Sequence, residues 1–314
     1  MRVLVGDNLD ALRGLVATNS KFDLVELDGP YMAGLEDWDD LTEQEYIDHY
    51  VERLTLVRDV LQPWGVVFVF GYPEGCAEIK SWAHRTNTLR LRRWLHWYNN
   101  RAAHEGRRIQ VIIMFVLPPN SDLFADFRQW LRTKRLKMGI TIEDAHNLTG
   151  IHPGCRGGYI WFESESASPP TAAEYAILKD FFGVPDYYDG LNEVTSCRGL
   201  TNIDFLQVPV EQAAHLNDNG LRSKPIGLYV DLFEPTIPLT DKRRALVLYG
   251  GSGNAAIAAG ALGYEVTVCE IDPDRCDLIR TRYDDEIGRW QRILEARQAP
   301  LFVSEPEQTA LWET

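Results

Sequence analysis

Two rhythms of apolar residues alternate along the chain. Short, mostly apolar runs at 2–5, 22–27, 65–70, 107–117, 245–249 and 264–269 predict buried strands of the parallel type, covered on both faces. Between them, apolar residues recur at helical spacing. Leu9, Leu12 and Leu15/Val16 share one face, and Tyr46, Tyr50, Leu54, Val57 and Leu61 share another. Further helices are expected over 76–86, 254–262 and 273–290. The stretch 89–100 is strand-like, and Pro63-Trp64-Gly65 is expected to turn the chain into the strand at 65–70. About seven strands alternating with helices predict an α/β fold with a doubly wound, mostly parallel sheet assembled from both parts of the chain.

Punctuation between these runs locates the candidate chemistry. After the strand ending at Tyr249 come Gly250, Gly251, Ser252 and Gly253, then an Ala-rich helix stopped by Gly263, then a second strand closed by Glu270. Glycines without β-carbons let the backbone approach a ligand. An acid about twenty residues further on, at the end of the next strand, suits two ribose hydroxyls. The spacing fits an adenosine-bearing ligand and leaves a dinucleotide and S-adenosylmethionine both open. In the first part of the chain, the strand FDLVEL runs straight into Asp28-Gly29-Pro30-Tyr31. This is an acid, a rigid turn and an aromatic ring at the carboxyl end of a strand, where active sites gather in open α/β sheets.

Together these stretches resemble the S-adenosylmethionine-dependent DNA amino-methyltransferases, in the permuted (beta-type) order. The catalytic motif comes first, a target-recognition region lies in the middle, and the cofactor motif comes last. The opening VGDNLDALRGL…FDLVELDGPY is similar to that family's opening phrase, and Ser223-Lys224-Pro225 resembles its Lys-Pro motif. The resemblance implies a Rossmann-like catalytic domain over 1–117 and 216–314, and a mainly helical recognition insertion over 118–215. It implies methyl transfer to the exocyclic amine of adenine (N6), with cytosine N4 as the alternative, on a base flipped out of double-stranded DNA. Asp28 would accept one amine N–H, the Gly29 carbonyl the other, and Tyr31 would stack on the base beside Pro30. Tyr249, Gly251, Ser252, Gly253 and Glu270 would contact the cofactor, with Asp7 and Lys224 as further contacts. A role in restriction-modification also follows from the resemblance. Two departures stand out: Gly29 replaces the motif's first Pro, and Val247-Leu248-Tyr249 replaces Asp-Pro-Phe, so one acid near the cofactor is missing.

Charge refines the choice of partner. The chain carries a net −14, yet Lys80 to Lys137 holds thirteen basic and three acidic residues, a local +10. A phosphate backbone responds to such a local surface more than to total charge. Pro118-Pro119-Asn120 marks the start of the insertion. Its basic helix, a second helix over 142–148 and a third over 172–182 resemble a helix-turn-helix that would bring 151–162, with Arg156, to the major groove. The five scattered cysteines (Cys76, Cys155, Cys197, Cys269, Cys276) lack metal-site spacing and are expected to be reduced thiols, so no metal is expected. No apolar run approaches the ~20 residues of a membrane span, and no signal peptide is apparent. The expectation is a cytoplasmic protein of prokaryotic or phage origin, with a homodimer left open. The rival readings are a DNA-binding relative without turnover, suggested by the two motif departures, and methylation of RNA or of a protein side-chain amide.

Overall fold

The structure, a computed structural model, describes residues 1–31, 40–98, 109–117, 121–150, 172–186, 188, 205–206, 223–237 and 243–298. Among these residues, eight strands form one sheet: β1 (Arg2–Val5), β2 (Phe22–Leu27), β3 (Leu61–Gly71), β4 (Arg90–Tyr98), β5 (Ile109–Val116), β6 (Phe205–Leu206), β7 (Arg244–Val247) and β8 (Glu265–Glu270). Their spatial order is β1-β8-β7-β2-β3-β5-β4-β6. Among the described strands, β5 alone pairs antiparallel with its neighbours, β3 and β4; the other described pairings are parallel.

Helices cover both faces, as the mostly apolar strands require. One face takes α1 (Asn8–Ala17), α2 (Glu43–Val60) and α3 (Pro73–Thr86). Their Leu12, Leu15, Tyr46, Tyr50, Leu54, Val57 and Ile79 meet Val25, Leu27, Val67 and Val69 of the central strands. α2 begins at a capping box, in which Thr42 and Glu45 satisfy each other's backbone amides. The other face takes α4 (Ser121–Lys137), α5 (Ile142–Thr149), α6 (Ala172–Phe182), α7 (Ile226–Phe233), α8 (Asn254–Ala261) and α9 (Pro273–Gln298). Leu24, Phe68, Phe70, Leu95 and Trp97 of the sheet join one continuous core with residues of all six helices.

Three features differ from the sequence expectation. Pro63, Trp64 and Gly65 lie within β3 rather than in a turn before it. Phe22 pairs with Leu61 and Leu24 with Val66, so the extra residues form a bulge in one continuous strand. The two-residue β6, in a stretch without a clear pattern, extends the sheet by pairing with His96 and Trp97. α9 continues eight residues past Trp290 to Gln298. The groove-facing segment proposed at 151–162 lies outside the described residues, as do Cys155 and Cys197. No described helix is long and apolar enough to cross a membrane.

Chain order and spatial order together place the site. From β7 the chain passes through α8 to β8 on one side, while from β2 it passes through α2 to β3 on the other. β7 and β2 are adjacent, so the connections leave in opposite directions and a crevice opens beyond their carboxyl ends.

Candidate active site

Asp28 follows β2 directly and faces this crevice. Its carboxylate is crowded with donors. Lys224 Nζ reaches both oxygens, 2.6 Å from Oδ1. The Tyr31 hydroxyl donates to Oδ1, and the Tyr229 hydroxyl donates to Oδ2 at 3.2 Å. A carboxylate offers about four lone-pair positions, and these four contacts fill them. An incoming amine N–H therefore reaches Asp28 only by displacing one of the donors. Lys224 comes from the turn ahead of α7, where Pro225 is the N-cap, and its ammonium also lies over the rings of Tyr31 and Phe70, at 4.9 and 5.0 Å. The Lys224 and Asp28 side chains are 7% and 17% exposed, so the pair is shielded from solvent but open enough to exchange partners.

The loop after Asp28 is held from three sides. The Tyr50 hydroxyl reaches the carbonyls of Pro30 (3.2 Å) and Phe70 (3.4 Å). Tyr31 meets Tyr72 edge to face, with ring centroids 5.4 Å apart. Gly29 packs under the ring of Tyr249. Replacing the motif's proline with Gly29 thus removes a rigid residue, but contacts from α2 and from the glycine loop brace the backbone instead.

The glycine loop fits a closely approaching ligand. Gly251 and Gly253 have φ of +51° and +85°, which side-chain-bearing residues rarely adopt. Nothing lies within 4 Å of where a β-carbon on Gly251 would stand, so the backbone there is open. Glu270 closes the loop on one side, accepting from Gly251 N (2.8 Å) and Asp272 N (3.0 Å). Arg282 of α9 donates to the Ser252 carbonyl (2.5 Å) and holds the loop from below. Asn254, at the start of α8, donates to the Lys224 carbonyl (2.7 Å), tying the glycine loop to the segment that carries the lysine.

The remaining expected contacts fall nearby with other duties. Asp7 caps α1 through Leu9 N (2.7 Å) and lies 3.8 Å from Arg53. Tyr249 leans toward the α2 face, where its hydroxyl shares a hydrogen bond with His49 Nε2. Burial, then the Arg53 charge, lowers the His49 pKa to about 4, and burial pushes the Tyr249 hydroxyl up to about 12. Both are therefore neutral around pH 7.

Several site residues escaped the sequence reading. Tyr229, His49 and Arg53 sit on helices whose apolar stripe masks them. Arg53 ties Asn8 (2.7 Å) and the His49 carbonyl (3.1 Å) together, and Asn8 in turn donates to the Leu248 carbonyl (2.9 Å). Glu26 lies inside β2, 1% exposed, with neither carboxylate oxygen hydrogen-bonded. Burial and then the Asp28 charge raise its pKa well above the usual carboxylate range. The visible signal was a second acid, after Asp23, in a mostly apolar run.

The family model for N6/N4 DNA methylases matches residues 22–281, which include both the Asp28 loop and the glycine loop. The chain belongs to the N6/N4 DNA methylase family. Solved structures of similar fold include a cytosine-N4-specific PvuII DNA methyltransferase (14% identity, 93% of this chain and 92% of that one, TM-score 0.53). They also include a candidate DNA modification methylase of Thermus thermophilus complexed with S-adenosyl-L-methionine (15% identity, 91% and 94%, TM-score 0.50). A third is a complex of M1.HpyAVI with the same cofactor (12% identity, 90% and 98%, TM-score 0.50). No curated protein matches the sequence. Membership in the family makes this N6/N4 DNA methylase a DNA amino-methyltransferase, acting on adenine N6 or cytosine N4. Its sheet, doubly wound and mostly parallel, is the one its motifs predicted.

Proposed function

We propose that the protein transfers a methyl group from S-adenosylmethionine to adenine N6 in double-stranded DNA, at the crevice between β2 and β7. The observation that carries this reading is the position of Asp28 at the mouth of β2, directly across the strand boundary from the open glycine loop. One supplies acceptors for an amine; the other supplies backbone for a nucleoside.

The exocyclic amine of a base is a poor nucleophile because its lone pair is delocalised into the ring. When Lys224 or a tyrosine hydroxyl withdraws, Asp28 accepts one amine N–H, and the Gly29 carbonyl is placed in sequence to accept the second. Two acceptors favour a tetrahedral nitrogen with its lone pair free, and the carboxylate stabilises the positive charge that builds on that nitrogen. Tyr31 offers a ring against which the extruded base can stack. The cofactor supplies an electrophilic methyl carbon on a sulfonium. With the cofactor bound, the nitrogen lone pair would form the new N–C bond as sulfur keeps the C–S electrons, and one amine proton would leave to solvent. Gly251 and Gly253, with Glu270 at the ribose end, would hold the cofactor. Much of the rate would come from positioning. The acid that opens the catalytic loop supports adenine as the target.

Transfer of labelled methyl from S-adenosylmethionine to unmodified duplex DNA, wild type beside Asp28→Ala, tests this. Label in N6-methyladenine, lowered at least about 100-fold in the variant, is expected. Label in N4-methylcytosine would move the target to cytosine. Cofactor binding without label on any DNA would overturn the reading and direct attention to RNA or protein amides.

A further inference from the structure

We propose that Glu26 receives the ammonium at the amino-acid end of the cofactor, a contact the chain's motifs do not assign. This rests on S-adenosylmethionine being the cofactor.

Three observations converge on Glu26. The first is its isolation. Both oxygens are enclosed without a hydrogen-bond partner, in a strand whose register neighbours are Phe68 and Val247. An apolar residue would serve the sheet better there, since an unpaired buried carboxyl opposes folding. The nearby donors make their close contacts elsewhere: Lys224 and the Tyr229 hydroxyl both bond to Asp28 and act on Glu26 only from farther off. Among the described residues, no cation reaches its oxygens at hydrogen-bond distance.

The second is placement. β8, β7 and β2 are consecutive in the sheet, ending respectively in Glu270, the glycine loop and the Glu26–Asp28 corner. A ligand whose ribose lies at Glu270 and whose sulfur crosses the glycine loop brings its other end to β2. That end is an α-amino acid, a zwitterion whose ammonium needs an acceptor and whose carboxylate needs a donor. The corner offers Glu26 and Lys224. A lysine drawn to the cofactor's carboxylate would also release lone pairs on Asp28, which the substrate amine needs.

The third is the missing acid. Where the methyltransferase pattern carries Asp before the glycines, this chain carries Val247, and Val247 is the register partner of Glu26. Directly paired residues on parallel strands project from the same face of the sheet. The carboxylate has moved one strand sideways.

The groups facing Glu26 are Asp28 beyond β2, Lys224 ahead of α7 and Tyr229 on α7; Phe68 and Val247 on the flanking strands are uncharged. Burial and the Asp28 charge favour the protonated carboxyl, and an arriving ammonium would favour the ionised form, so binding should be linked to proton release. Titration calorimetry in two buffers of different ionisation enthalpy reads this directly. The ligands are S-adenosylmethionine, S-adenosylhomocysteine and methylthioadenosine, which lacks the amino-acid end. Glu26→Gln should weaken the first two by about tenfold or more, leave the third within about twofold, and abolish the proton release. Glu26→Leu should do the same and raise the thermal midpoint of the ligand-free chain, which keeps the test open if the Gln variant folds poorly. Unchanged binding of all three ligands, or equal loss of all three, would overturn the assignment. Loss for S-adenosylmethionine alone would make Glu26 a sulfonium contact instead. Wild-type protein that binds none of them would sink the cofactor reading, and this assignment with it.

Discussion

The ring of Tyr249 lies against the α-carbon of Gly29, so close that a β-carbon there would stand 2.9 Å from both Cε2 and Cζ. Gly29 does not have a positive φ, so its backbone could accept another residue; the tyrosine ring is what excludes one. The two motif departures therefore form a pair: the hydrogen bond between Tyr249 and His49 anchors the ring, and glycine makes room for it. Gly29→Ala should destabilise the protein by about 1–3 kcal/mol. Combined with Tyr249→Ala the losses should fall short of additive, with a coupling of about 0.5–3 kcal/mol. Urea denaturation of the two single variants and the double variant measures this; strictly additive losses would show that the pair is independent.

His49 makes the α2 side of the site sensitive to acid. Its pKa falls from 6.5 to about 4 through burial and the Arg53 charge. Between these values the unfolded chain takes up a proton that the folded chain refuses. This contribution to stability is complete above pH 6.5 and is lost as pH falls toward 4. Wild type should therefore lose about 1–2 kcal/mol more than His49→Phe between pH 7 and pH 4.5, after allowance for partial exposure. Denaturant titrations at the two pH values, compared between the two proteins, isolate His49 from the carboxyls that titrate in the same range. Parallel losses in both would show that the imidazole is not the sensor.

The basic stretch divides by orientation. Arg135 of α4 is buried and donates to the Ile140 carbonyl at 2.8 Å, closing the end of its helix. Arg132 and Lys137 on the same helix are exposed. Duplex binding followed by anisotropy across a salt series should show the slope of log affinity against log salt reduced by about one for each of Arg132→Ala and Lys137→Ala that meets a phosphate. Arg135→Ala should instead lower the thermal midpoint and leave the slope unchanged. Slopes unaffected by all three would remove α4 from the DNA interface.

The parts of the site legible in the sequence were those where residue type and local spacing act together. Asp28 closes an apolar strand, Gly251 and Gly253 require left-handed backbone, and Glu270 ends the strand that follows. Each can be recognised within a few residues of its own neighbours. Glu26 and Tyr229 acquire their meaning from contacts far away in sequence, and their strand and helix would have the same periodicity without them. The bulge over Pro63-Trp64-Gly65 was missed for a related reason. Proline and glycine ordinarily signal a turn, but pairing with β2 resumes on both sides of the bulge and keeps the strand whole.

The bond between Lys224 and Asp28 joins residues 196 positions apart, and β2 pairs with β7 across a similar separation. Such contacts come late in folding, because a long loop must close before they reward it. During translation the acid leaves the ribosome long before the glycine loop that must lie beside it, so a nascent chain carries no assembled crevice until its last third has been made. Equally, two separately expressed pieces divided between α6 and α7 would hold complementary halves of one site, silent apart and competent only when they meet.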